Sequence, residues 1–279
     1  IARRQRQMCI RDRNMADPTL ATLFNSSAVD LSWQRAFYED LHAHPELSHE
    51  EERTAGRILE KLADFDCEVV TGIGGHGIVA IFRNGEGPTA LMRADFDALP
   101  VKEETGVDFA ATNGKMHACG HDVHTTALLG ACALLDVHRD AWQGTFLALF
   151  QPAEESSMGA KYMIADGLTE RVPTPDVCLG QHVMPGPAGQ VQSTAGPILA
   201  GCDSLRIHIT GRSAHASMPH ESVDPSYVAA MVVTRLQAIV GREVPPHDFF
   251  VISVGELHAG DKNNIIPGSA ELVLNTRYY

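Results

Sequence analysis

Residues 116–124 read Met-His-Ala-Cys-Gly-His-Asp-Val-His and pack three His, one Cys and one Asp into nine positions. In an extended segment residues two apart project to the same side, so Cys119 and His121 can converge on one ion. A thiolate at ~2.3 Å and an imidazole at ~2.1 Å are normal zinc-type bonds, and Gly120 between them allows close approach. Two other readings stand beside this one: Cys119 as a nucleophile, and the whole cluster as structural. Asp122 falls where a helix should begin and reads as its cap. His124, one turn past His121, is either a support for a ligand or simply packed.

Three further segments carry chemistry. In Phe150-Gln151-Pro152-Ala153-Glu154-Glu155 two adjacent carboxylates follow an apolar run; together they repel and lose hydration unless a cation sits beside them. Neighbouring side chains point in different directions, so one Glu can ligate a metal while the other serves as general base. The bland alternative is a solvated acidic pair. His182, after another apolar run, is a ligand or a satisfied core histidine. In Arg93-Ala94-Asp95-Phe96-Asp97 two Asp share one face of a strand end. Asp97 either orients a ligand His through its ring N–H or touches the metal; the alternative is an Arg93–Asp structural pair.

The elements that must position these groups alternate. Helices are expected over 30–43, 50–62, 121–137 and 156–166, and strands over 67–70, 78–82, 89–93, 144–150 and 176–180. The glycines of 72–77 match Gly-x-Gly-x-x-Gly, but a dinucleotide loop must open a helix and this one opens a β run, so it reads as a turn. The pattern predicts an α/β fold with a mostly parallel central sheet flanked by helices. The Pro/Gly/Ala-rich stretch 185–197 reads as a hinge. Beyond it a strand over 204–209, a helix over 224–240 and strands over 250–254 and 270–276 suggest half or more of a small two-layer α+β domain.

The chain has 279 residues and a formal charge of −13. Residues 1–14 contribute +4 of this and the rest −17. So acidic a body argues against nucleic-acid partners. The basic head resembles translated adapter sequence, and the native chain is expected to begin at Met15. No apolar run approaches the ~18 residues that span a bilayer, and no secretory signal is visible, so no membrane partner and a cytoplasmic location are expected. The six Cys form no Cys-x-x-Cys pair, which argues against a disulfide framework. No Gly-x-Ser-x-Gly elbow occurs, and Gly211-Arg212-Ser213-Ala214-His215 lacks the closing Gly.

Four strand ends carrying Asp, Glu, His or Cys make a constellation. The runs RADFDALP, HACGHDVH, QPAEE, GQHV, GRSAHASMP, NNIIP and TRYY, in this order over residues 30–279, resemble the M20 metallopeptidase family. Within it the amidohydrolase branch of hippurate hydrolases, N-acyl-amino-acid amidohydrolases and auxin-conjugate hydrolases is most similar. The resemblance implies a zinc-peptidase-like catalytic domain over 15–190 after a leader over 1–14, with an inserted, incomplete ferredoxin-like dimerisation domain over 191–279.

It also implies two divalent ions per subunit (Zn, Mn, Co or Ni). Cys119, His121, Glu155 and His182 match the ligands, with Cys119 bridging. Glu154 matches the general base and Asp97 the residue that orients a ligand. Where related peptidases have a metal-binding His two residues earlier, this chain has Asp95. In the smaller domain His215 matches an oxyanion-stabilising residue that reaches a partner subunit's site, and Asn264 and Arg277 match positions that hold the substrate carboxylate. The implied activity is hydrolysis of N-acyl amino acids or small amide conjugates by a homodimer or larger assembly. The alternative is a fragment that only binds or dimerises. Relatives are expected to continue beyond Tyr279 and to supply one more metal-binding His.

Overall fold

A computed structural model describes residues 29–279; the expected leader over 1–14 lies outside the described residues. The chain divides into two compact units, one ending at Pro185 and the other beginning at Gly186. Among the described residues no helix is long and apolar enough to cross a membrane.

The first unit opens with helices α1 (Trp33–Ala43) and α2 (Glu52–Leu62). Pro45, which cannot donate a helical hydrogen bond, follows the α1 C-cap His44. The start of α2 is capped from a distance: the Glu46 carboxylate accepts the N–H groups of Arg53 at 3.1 Å and Thr54 at 2.7 Å, satisfying donors that every helix start leaves open. Strands β1 (Glu68–Ile73) and β2 (Gly77–Asn84) form a hairpin. Gly74 in its turn has φ 64°, and a Cβ there would come within 2.5 Å of the Met163 backbone nitrogen. The glycines therefore serve a turn, as expected. There follow β3 (Thr89–Asp95), α3 (His121–Val137), β4 (Gly144–Gln151), α4 (Gly159–Ala165), α5 (Leu168–Arg171) and β5 (Val177–Gly180).

The five strands form one sheet in the order β1-β2-β4-β3-β5. Its class is α/β, flanked by helices, but its strands are mixed in direction. β3 runs parallel to β4 and β5, whereas β2 is antiparallel to both β1 and β4. The short glycine turn forces the β1–β2 pairing, because three residues can connect antiparallel strands but not parallel ones. β2 is buried on both faces. Ile78, Ala80 and Phe82 join Ala148 and Phe150 of β4 under α1, α2 and α3, while Val79 and Ile81 join Leu147, Leu149 and Met163 on the other face. The two-residue period across two helical layers turns the strand into an unbroken apolar run.

The second unit holds β6 (Gly201–Thr210), β7 (Ala214–His215), α6 (Pro225–Arg242), β8 (Phe250–Ala259), β9 (Ile265–Ile266) and β10 (Ser269–Tyr278). β10 lies between β6 and β8, antiparallel to both. α6 starts at Pro225, with the Asp224 side chain accepting from Ser226 and Tyr227 nitrogens, and packs Ala229, Val232, Val233 and Leu236 onto Leu272 and Leu274. This is the two-layer β-α-β-β arrangement read from the sequence. The two-residue β7–β9 ladder, pairing His215 with Ile265, is too short to leave a periodic signal.

Candidate metal centre

Three parallel strands of the first unit end along one sheet edge. Asp95 of β3 pairs with Gln151 of β4, and Arg93 of β3 with Gly180 of β5. The segments that leave them, 96–97, 152–155 and 181–183, therefore start side by side. The carboxyl ends of parallel strands are where α/β folds build their sites.

His121, the first residue of α3, is the hub. It is fully buried, and its Nδ1 lies 3.1 Å from Asp97 Oδ1. Around its Nε2 stand Asp95 Oδ2 at 3.5 Å, Glu155 Oε1 at 3.8 Å and Glu154 Oε2 at 4.0 Å. Cys119 Sγ lies 3.4 Å from His182 Nε2. Cys119, His121 and His182 offer ligand atoms within 4.8 Å of one another, and so do His121, Glu154 and Glu155. The Cys, the two His and the two Glu singled out in the sequence thus meet.

Asp97 is buried and ties several of these groups together. Beside its contact with His121, it accepts from Ser48 Oγ at 2.7 Å and from the Glu155 backbone N–H at 2.9 Å through Oδ2. Burial would raise its pKa, but these hydrogen bonds, led by that of His121, outweigh it and hold the carboxyl below its usual value. For His121, burial lowers the pKa, yet the Asp97 hydrogen bond and the charges of Asp95, Asp97 and Glu155 raise it overall. Burial, with the charges of Glu155, Glu154 and Asp95, pushes the Cys119 thiol up to about 12.

The Glu154-Glu155 turn is held from outside its own strand. Ala153 has φ 53°, a left-handed conformation costly for a residue with a Cβ. Its N–H donates to Glu51 Oε1 at 2.8 Å. The helix expected from 156 accordingly begins only at Gly159. The two Glu differ in setting: the side chain of Glu154 is 42% exposed and that of Glu155 20%.

These residues fit a divalent cation. His121 Nε2 and Glu155 Oε1 are both buried with no hydrogen-bond partner, an arrangement that costs free energy in a protein unless something else binds them. The donors span a soft thiolate, borderline imidazoles and hard carboxylates, which Zn, Mn, Co and Ni all accept.

Asp122 is not a helix cap. Gly120 occupies that position, and Asp122 Oδ2 instead lies 2.6 Å from His42 Nδ1. His42 Nε2 reaches Glu103 Oε1 at 3.0 Å. The Arg93–Asp95 pair read as the structural alternative exists, at 2.6 Å. The contacts of Ser48, Glu51, His42 and Glu103 escaped sequence reasoning, since each partner lies more than forty positions away in the chain. Asp95 had a signal, two residues before Asp97 on one strand face. His117 is buried with neither ring nitrogen paired, and burial lowers its pKa to about 4.

The other three candidates belong to the second unit, and the structure does not group them with a ligand cluster. His215 Nδ1 lies 2.8 Å from Ser217 Oγ. The Asn264 carbonyl accepts from Ala216 N–H at 3.0 Å. Exposed Arg277 donates from Nε to Asn275 Oδ1 at 3.1 Å.

Known proteins resemble this chain. The model for peptidase family M20/M25/M40 matches residues 91–256. N-acetyl-L-cysteine deacetylase of Bacillus subtilis (strain 168) is 40% identical over 230 residues, 81% of this chain and 55% of its own length. Hippurate hydrolase of Campylobacter jejuni subsp. jejuni is 39% identical over 240 residues, 85% of this chain and 62% of its own. This chain therefore spans less than two thirds of either relative. A crystal structure of the Bacillus subtilis YXEP protein, described as a dinuclear metal binding peptidase from the M20 family, matches with a TM-score of 0.73 at 32% identity. That match covers 89% of this chain and 64% of the other. With the family model lying across more than half its length, the chain belongs to peptidase family M20/M25/M40.

Proposed function

We propose that this protein hydrolyses the amide bond of N-acyl amino acids or small amide conjugates, releasing a carboxylic acid and an amino acid. Two divalent cations per subunit would be held by Cys119, His121, Glu155 and His182. The observation that carries this reading is the convergence of these groups on one sheet edge, with two buried ligand atoms lacking any partner. The relatives support the substrate class: N-acetyl-L-cysteine and hippurate are both N-acyl amino acids.

When bound, the cations polarise the scissile carbonyl and make water acidic enough to attack near neutral pH. Glu154, the more exposed of the two carboxylates, accepts the proton of the attacking water and returns it to the leaving amine nitrogen. Asp97 holds His121 with Nε2 toward the cluster. His215 stabilises the oxyanion, and Arg277 with Asn264 anchors the free α-carboxylate, which favours acyl-amino acids over internal peptide bonds. The resemblance of the second unit to a dimerisation domain supports a homodimer in which His215 serves the partner's site.

Turnover of a panel of N-acyl amino acids, with and without exhaustive chelation, tests the reading. Activity is expected to vanish with the metal and return with Zn, Mn, Co or Ni. Arg277→Ala should raise KM for the free acids far more than for their amide or ester analogues. Turnover that survives chelation, or none on any acyl amino acid by the metal-loaded protein, overturns it.

A further inference from the structure

His124, on the first turn of α3, is buried and engages both ring nitrogens. Nε2 accepts the backbone N–H of Val183 at 2.9 Å, and Nδ1 lies 2.6 Å from Asp95 Oδ1. An imidazole that accepts at Nε2 carries its proton on Nδ1, so the Asp95 contact is a hydrogen bond donated by His124. Asp95 is fixed in its turn: Arg93 donates to Oδ2 at 2.6 Å, and Thr125 Oγ1 donates to the Asp95 carbonyl at 2.9 Å. Although Asp95, His121 and His124 lie close enough to read as a ligand group, His124 has no lone pair left to give.

The Val183 backbone works in both directions. Its N–H goes to His124, and its carbonyl accepts from His182 Nδ1 at 2.7 Å. That hydrogen bond puts the His182 proton on Nδ1 and frees the lone pair of Nε2, the atom 3.4 Å from Cys119 Sγ. The rings of His124 and His182 meet edge to face, centroids 4.6 Å apart. Val183 also needs Gly120 beneath it. A Cβ at position 120 would stand 2.3 Å from Val183 Cγ2, and Gly120 has φ 86°, where glycine alone sits without strain. His182 itself is exposed and lies outside any helix or strand, so its ring is held through the Val183 backbone rather than by an element of its own.

We infer that His124 is a positioning residue: backed by Asp95, it pins the Val183 peptide and thereby sets the tautomer and place of His182 as a metal ligand. This rests on the ligand reading of His182 proposed above. Removing such outer partners typically costs ~10–100-fold in metal affinity.

Two-bond ¹H–¹⁵N spectra of histidine-labelled protein report each ring's tautomer without any metal, and Co(II) affinity comes from competition with a chromophoric chelator. In the metal-free protein His182 is expected as the Nδ1–H tautomer. His124→Phe removes both hydrogen bonds and should give averaged His182 signals with Co(II) affinity ~10–100-fold lower. His124→Gln, whose amide oxygen can accept the Val183 N–H, should recover most of that loss. Should His124→Phe fail to fold, Val183→Pro deletes the same N–H from a segment outside any helix or strand, where Val183 is 41% exposed, with the same effect expected on His182. His182→Ala separates the two claims. If it loses metal while His124→Phe or Val183→Pro leaves the His182 tautomer and Co(II) affinity unchanged, the clamp is overturned. If it binds Co(II) like the wild type, the ligand reading fails instead.

Discussion

Glu154 and Glu155 are neighbours in sequence but not in circumstance. The Glu155 backbone N–H is bound by Asp97, and its Oε1 is buried without a partner; Glu154 is the more exposed. That difference supports the proposed assignment of Glu154 as base and Glu155 as ligand. Glu154→Gln keeps the shape and loses the proton acceptor, so it should retain bound metal while the rate falls at least ~10²-fold. Near-native turnover by that variant would remove Glu154 from the mechanism. Asp97 invites a second test. Its two oxygens receive three donors, from His121, Ser48 and Glu155. Asn offers one acceptor oxygen and puts an N–H where an acceptor is required. Asp97→Asn is therefore expected to lower metal affinity by ~10–100-fold, as outer-shell changes do. Equilibrium dialysis reads this directly, and unchanged affinity would mean that Asp97 orients nothing.

At the scale of elements, α1 and α3 are joined by a buried imidazole between two carboxylates. His42 lies 2.6 Å from Asp122 and 3.0 Å from Glu103, and both ring nitrogens must carry protons to serve both acids. Burial lowers the His42 pKa, but the hydrogen bonds and charges of Asp122 and Glu103 outweigh it and raise it above the ordinary 6.5. A raised folded-state value means stability fully present below the unfolded value and lost as pH climbs through the folded one. His42→Leu strands two buried acids and should cost roughly 3–5 kcal/mol in mildly acidic solution. The stability gap between wild type and variant should narrow as pH climbs from the ordinary histidine value through the raised folded-state one; a gap that widens over that range would refute the charged-imidazolium account. None of this was legible in the sequence, where Asp122 reads as a cap because a carboxylate at a helix start usually is one. The span of α3 itself, 121–137, was legible, since its apolar spacing is local. The hairpin turn at 72–77 was legible too, and it already implied antiparallel neighbours for a sheet expected to be mostly parallel.

Across the whole molecule, the proposed ligands and base, Cys119, His121, Glu154, Glu155 and His182, all come from the first unit, whereas His215, Asn264 and Arg277 come from the second. The convergence of Glu154, Glu155 and His182 was legible because each follows an apolar run and parallel strands bring their ends to one edge, whereas Cys119 and His121 stand in the turn and at the first position of α3. What His215 and Asn264 touch was not legible, because the β7–β9 ladder beside them spans two residues a side. This division makes metal and substrate separable in hydrogen exchange. A ligand that binds only the folded state stabilises it by about 2.7 kcal/mol at a hundred times Kd, and the protection should fall on the segments that supply ligands. Added Zn or Mn is expected to slow exchange over 95–97, 116–124, 151–157 and 180–183 and to leave 201–279 unchanged. A transition-state analogue that carries both the α-carboxylate and a tetrahedral oxyanion, added to the metal-loaded protein, should extend protection to 213–217, 262–266 and 275–278, because the proposed roles of His215, Asn264 and Arg277 are to bind those two groups. Metal-induced protection spread evenly over both units would contradict a centre built from the first alone. Analogue-induced protection confined to 29–185 would remove His215, Asn264 and Arg277 from substrate binding.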